Sequence, residues 1–218
     1  MYVELTAEMV RERLGVLPAG SFEQHAHLPM ATDVVLAEAV AREAVERTSD
    51  RGVILLPPVY YSVSLEHGSF PYVGSDYVPF IEYMTGIALS ALRFLRGLII
   101  VNGHGGIESA LDVVKRRVNF SGAKKVRVFS LPQFYSRFSP CDMHAGAIET
   151  SLMAYLGLYR GEPSVRARCS REAFDTLRSD EVSESGAVAQ EVRADLELGK
   201  KVFEEAVDSL VRLILEVD

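Results

Sequence analysis

The stretch Gly97–Gly106, GLIIVNGHGG, decides the fold. Its first half is an aliphatic, β-branched run without polar alternation, which predicts a strand buried on both faces. Its second half supplies glycines that let the chain turn sharply at the strand's end and present His104 there. Three more runs read as strands: 13–19 (RLGVLPA), 52–59 (GVILLPPV) and 125–131 (KVRVFSL). Helical spacing fills the intervals, at 32–47 with Thr32 or Asp33 as a plausible N-cap, 78–95, 106–118, 147–158 and 195–216. Strand and helix in turn imply β-α-β crossovers. The expected fold is a single three-layer α/β/α domain over residues 1–218 with a mostly parallel central sheet, and ligands in such folds bind at the carboxyl ends of the strands. The polar segment 160–190 reads as loop plus a short helix, covering the sheet or reaching a neighbouring subunit.

Composition narrows the function. Of 218 residues, 48% are hydrophobic and 24% charged, enough apolar surface to offset ordering entropy, so disorder is excluded. With 23 basic and 30 acidic side chains the net charge is −7, the wrong sign for general binding of nucleic acid or anionic membranes. Met1–Glu12 mixes acids and bases without an apolar core, so no targeting signal is expected there. Cys141 and Cys169 form no C-x-x-C pair and are too few for a disulfide framework. A reducing, cytoplasmic setting is the default, with Cys141 a buried thiol.

The chemistry-bearing residues lie just past the strand ends. After the first strand come Glu23, His25 and His27, then Asp33 at the helix start; residues two apart in an extended segment point the same way, so Glu23 and His25 can address one point. His104 follows the third strand, and Asp142, His144 and Glu149 follow the fourth. Mixed imidazoles and carboxylates suit divalent zinc, manganese or iron. Asp33 is placed to be shared by two ions, which could hold a hydroxide between them and polarise a carbonyl, so hydrolysis is the expected chemistry. His27 reads as structural. The sequence lacks G-x-S-x-G, P-loop and dinucleotide-binding motifs.

GSFEQHAHLPMATD (20–33), VNGHGG (101–106) and HAGAIETSLM (144–153) resemble, in order, the three signatures of the creatininase (creatinine amidohydrolase) family, and SLEHGSFPYVGS (64–75) is similar to its H-x-x-F-P-G-T segment. The resemblance implies the α/β/α fold, two divalent metal ions (zinc, manganese or ferrous iron), a homo-oligomeric, hexameric habit, and hydrolysis of a C–N bond, other than a peptide bond, in a cyclic amide or formamide. Carried over residue by residue, Glu23, His25, Asp33 and His104 match metal ligands, with Asp33 bridging. His144 matches the catalytic histidine that protonates the leaving nitrogen, and His67, Gly103 and Gly105 match the substrate side. Creatininase proper has a ligand Glu two residues after the His of its second motif. Gly106 stands there in this chain, so another carboxylate must complete the shell, Glu149 first and Glu108 a distant second.

The sequence also departs from the family in having Ala26 in place of Gly-Pro, Ile107 in place of Asn, and no Trp, which makes creatinine an unexpected substrate. The short archaeal branch that deformylates a formamidopyrimidine ribonucleotide in riboflavin and deazaflavin biosynthesis is the leading specific reading. A creatinine-type cyclic amide hydrolase and a non-catalytic metal- or ligand-binding member are the alternatives. The basic concentration Lys115-Arg116-Arg117 with Lys124-Lys125 could suit a phosphorylated substrate, but reads better as a solvated helix face.

Overall fold

A computed structural model describes residues 2–122, 125–170 and 172–217; Lys124, part of the basic cluster above, lies outside them. Four strands form one sheet, β1 (Leu14–Ala19), β2 (Val53–Leu55), β3 (Gly97–Asn102) and β4 (Val126–Ser130), all parallel in the order β2-β1-β3-β4. The helices are α1 (Ala7–Val10), α2 (Thr32–Arg47), α3 (Tyr77–Ala91), α4 (Glu108–Phe120), α5 (Leu131–Tyr135), α6 (Ala147–Tyr155), α7 (Ser179–Val182) and α8 (Leu196–Glu216).

The buried runs explain the layering. Leu14, Val16, Ile99 and Val101 face α2, α6 and α8, while Leu17, Ala19, Leu98 and Ile100 face α3 and α4. Side chains alternate across a strand, so an uninterrupted apolar run is what a sheet covered on both faces requires. Each fully buried Leu, Ile or Val contributes roughly 1.5–3 kcal/mol. β2 is shorter than 52–59 because Pro57 and Pro58 carry no N–H for the ladder; Val59 rejoins through a lone bridge to Ala19. Among the described residues, no helix is long and apolar enough to cross a membrane.

The connection from β1 runs to β2 on one side, and the chain then crosses back to β3 on the other. The carboxyl ends of β1 and β3 therefore sit side by side at the point where strand order reverses. Two glycines let α2 press its first turn into that gap. A Cβ on Gly20 would lie 2.7 Å from the Val34 nitrogen, and one on Gly103 would lie 2.2 Å from the Asp33 carbonyl oxygen. The helix starts at Thr32 after Ala31, which makes no side-chain cap, so neither Thr32 nor Asp33 is an N-cap, and the Asp33 carboxylate is free for other work.

Among the described residues of 160–190, α7 is the only helix, and Phe174 and Ser179 lie against His67 beyond the carboxyl ends of the strands. Cys141 is not a free thiol. It is bonded to Cys169, with Cα atoms 5.8 Å apart, because the covering segment folds back against the loop that follows α5. Reduction should lower stability by about 2–4 kcal/mol, the usual range for such a crosslink, seen as a fall in melting temperature with reductant that Cys141→Ser reproduces; equal melting curves would contradict it. Gly103→Ala should cost roughly 1–3 kcal/mol through overpacking against α2, read by denaturant unfolding; an unchanged midpoint would show that the helix can retreat freely.

Candidate metal centre

The loop after β1 folds over itself, with the Glu23 N–H donating to the Met30 carbonyl at 3.0 Å and His25 bridged to Leu28. Ala26 takes a left-handed φ of 49°, a backbone state that favours glycine and concentrates at functional sites. This turn buries Glu23 and His25 and aims both at the start of α2.

Asp33 lies between two imidazoles. Its Oδ1 is 3.0 Å from His25 Nε2, and its Oδ2 is 3.0 Å from His104 Nδ1 and accepts from Ser21 Oγ at 2.9 Å. The far nitrogens fix the rings: His25 Nδ1–H donates to the Glu23 carbonyl at 3.1 Å, and His104 Nε2–H donates to the Val63 carbonyl at 2.8 Å. One carboxylate oxygen facing each ring is the geometry a shared ligand needs. Glu23 Oε1 lies 3.3 Å from His104 Nδ1 and 2.9 Å from His67 Nε2. Glu149 is buried beside His25 and His144, and its Oε2 accepts from the Ala145 N–H at 2.7 Å.

Charge governs this cluster. Burial works against a charged ring at His25, but the Asp33 carboxylate, with Glu149 and Glu23 behind it, raises its pKa to about 10. At His104 burial is likewise overcome, by Glu23, Asp33 and Glu66, and the pKa rises. Glu23 and Asp33 are held well below the carboxylate range against burial, chiefly by His104 and His25 respectively. Glu149 moves the other way, to about 8, because burial outweighs the nearby His25 charge. His144 is pushed well below its ordinary value by burial and by the charges of His25 and His67.

The residues fit divalent metal ions. Glu23 and Glu66 bring two buried carboxylates to one point: Oε1 of each faces imidazole nitrogen, while Oε2 of each is buried without a hydrogen-bond partner, lone pairs that a cation would satisfy. Among the described residues, four overlapping trios bring ligand atoms within 4.8 Å of one another: Glu23 with His25 and Asp33, Glu23 with Glu66 and His104, Glu23 with His67 and His144, and His25 with His144 and Glu149. Imidazole and carboxylate without thiolate suit zinc or manganese. A cavity of about 390 Å³ opens onto this cluster. Phe174, from the 160–190 cover, stands over it with its ring 5.8 Å from that of His144 and 5.7 Å from that of His67.

The family profile described as creatinine amidohydrolase matches residues 2–214. The chain belongs to the creatininase family. It is 31% identical over 210 residues to the mycofactocin precursor peptide peptidase of Mycolicibacterium smegmatis, covering 88% of this chain and 81% of that protein. It is 28% identical over 221 residues to a 2-amino-5-formylamino-6-ribosylaminopyrimidin-4(3H)-one 5'-monophosphate deformylase of Methanocaldococcus infernus, covering 95% and 92%. A crystal structure of creatininase superposes with a TM-score of 0.78 at 24% identity over 97% of this chain and 95% of that one, a likeness of fold. Solved creatininases include a manganese form and a Zn–Zn form.

Set against the creatininase motifs, the structure gathers Glu23, His25, Asp33, His104, His144 and Glu149 at one point. Gly103 and Gly105 line the cavity, Gly103 also allowing the approach of α2, and His67 is buried against Glu23. Glu108 lines the cavity but accepts from Ser130 Oγ and from Gln133 Nε2, and it joins none of the ligand trios. His27 bonds Thr150 Oγ1 at 2.9 Å, away from the cluster. Sequence reasoning missed Glu66 and Gln24. Gln24 Nε2 lies 3.0 Å from His67 Nδ1, and the Gln24 carbonyl accepts from His144 Nε2–H at 2.8 Å. The signal for Glu66 was available: an acid beside His67 in a motif-bearing segment, in a chain whose second motif lacked one.

Ligation needs neutral imidazole, and His25 is protonated in the metal-free protein below about pH 10. Zinc or manganese binding at pH 7 should therefore release protons, and affinity should rise with pH. Calorimetry in two buffers of different ionisation enthalpy measures the release; identical heats in both would sink this account.

Proposed function

We propose that the protein is a metal-dependent amidohydrolase that cleaves a linear, peptide-type C–N bond in a neutral or cationic substrate. The observation that carries the substrate class is the wall of the cavity, which contains Glu23, Asp33, Glu66, Glu108, Asp142 and Glu149 and, among the described residues, no Lys or Arg. Among the described residues a phosphate dianion would find no Lys or Arg there. The basic residues of α4 are spent elsewhere, Lys115 and Arg116 on Asp112 and Arg117 on Glu82. The mycobacterial peptide peptidases support the same reading. Deformylation of a phosphorylated formamidopyrimidine is the second reading, favoured by the archaeal relatives named for that activity.

Divalent ions held by Glu23, His25, Asp33 and His104 would supply Lewis acidity toward the amide carbonyl and lower the pKa of an attacking water. The chain's own groups move the proton. His144 commits Nε2–H to the Gln24 carbonyl, which leaves the Nδ1 lone pair toward the cavity, 3.8 Å from Glu23 Oε1. Its lowered pKa keeps the ring neutral at pH 7, ready to accept a proton at Nδ1 and pass it to the departing nitrogen. Gln24 orients His144 and His67 together, and Phe174 limits water above them. A homo-oligomer is part of the proposal, supported by exposed Val78, Tyr83 and Leu89 on α3 and Val113 and Phe120 on α4.

His144→Ala should retain metal and lose turnover by about 10²–10⁴-fold; activity within a few-fold of the parent would remove the proton-transfer role. Assayed in parallel, the metal-loaded protein should release amine from peptides and no formate from the formylated nucleotide. Formate release without peptide cleavage would replace this substrate by the second reading.

A further inference from the structure

We propose that Glu66 is a metal ligand that replaces, from a different loop, the acid missing at Gly106. This inference rests on the metal-dependent reading above and goes beyond the motif residues.

Three observations converge. A Cβ built on Gly106 would lie 1.7 Å from Glu66 Oε1, so the Glu66 carboxylate fills the space in which a side chain at 106 would begin. Glu66 Oε2 is buried and lacks a hydrogen-bond partner. Glu66 Oε1 is 3.1 Å from His104 Nε2, and Glu66, Glu23 and His104 offer ligand atoms all within 4.8 Å of one another. Glu23, fully buried with its Oε2 unpartnered, faces the same point. Two buried carboxylates this close repel each other, and a cation between them relieves the repulsion.

The position of Glu66 follows from its surroundings. It sits in the single 3₁₀ turn Leu65–His67, which the neighbouring His67 pins by its contacts to Glu23, Gln24 and Ser179. Gly106 follows the third-strand turn and opens onto the same volume. The Glu66 carboxylate and a side chain at position 106 exclude each other, and a Cβ at 106 would also lie 2.6 Å from His104 Nε2.

That exclusivity gives the test. Zinc and manganese content after dialysis should fall in Glu66→Ala from about two ions per chain to about one, with the fold monitored by circular dichroism. Gly106→Glu alone should also lose metal, because its side chain collides with Glu66. Glu66→Gln, nearly isosteric, should behave as Glu66→Ala if the group is a ligand. The inference is overturned if Glu66→Ala and Glu66→Gln keep full metal content, which would make Glu66 a positioning group for His104. A parent protein that binds no metal would instead overturn the metal-dependent reading itself.

Discussion

The dependence of this structure on one constraint is plain in Asp33: a buried carboxylate must be surrounded by positive charge, and here it is surrounded from two directions at once. His25 approaches from the loop after β1 and His104 from the turn after β3. Those two strands are neighbours only because the chain reverses its winding between them. Gly20 and Gly103 matter for the same reason, since any side chain there would lift α2 and withdraw the carboxylate from both rings. Fold and site are thus one problem, in which backbone proximity at the switch point sets the distance between the groups.

Electrostatics explains why so much of the surrounding structure is imidazole. A cavity walled by acids cannot be stable in low dielectric without compensation. In the metal-free protein His25 and His104 provide it by holding protons. Ion and proton therefore compete for the same lone pairs. His144 stands apart from this exchange: its neighbours are rings as well as acids, and its Nε2–H is committed to the backbone, so it stays neutral while the others change state.

Most of the sheet was legible because a strand buried on both faces leaves an uninterrupted apolar run, as in Leu98–Val101. The ligands nearest the strand ends were legible because motif spacing and strand geometry coincide at Glu23, His25, Asp33 and His104. What escaped depended on contacts between distant segments. Glu66 belongs to a loop with no periodicity, and its place beside Gly106 emerges from the fold, where its carboxylate fills the volume that a side chain at 106 would enter. The Cys141–Cys169 bond joins two irregular stretches, so no local pattern announced it. Asp33 read as a helix cap because the residue type is right for one; the cap falls instead on Ala31, two residues earlier.

The disulfide has a mechanical meaning. The ring it closes contains His144, Glu149 and all of α6, while Phe174 and Ser179 lie just beyond its far end. A force on the cover is thus delivered through one covalent bond to a point three residues from His144, rather than being dissipated along the intervening chain. The crosslink ties the segment that carries Phe174 to a point three residues from His144, the imidazole that Phe174 covers.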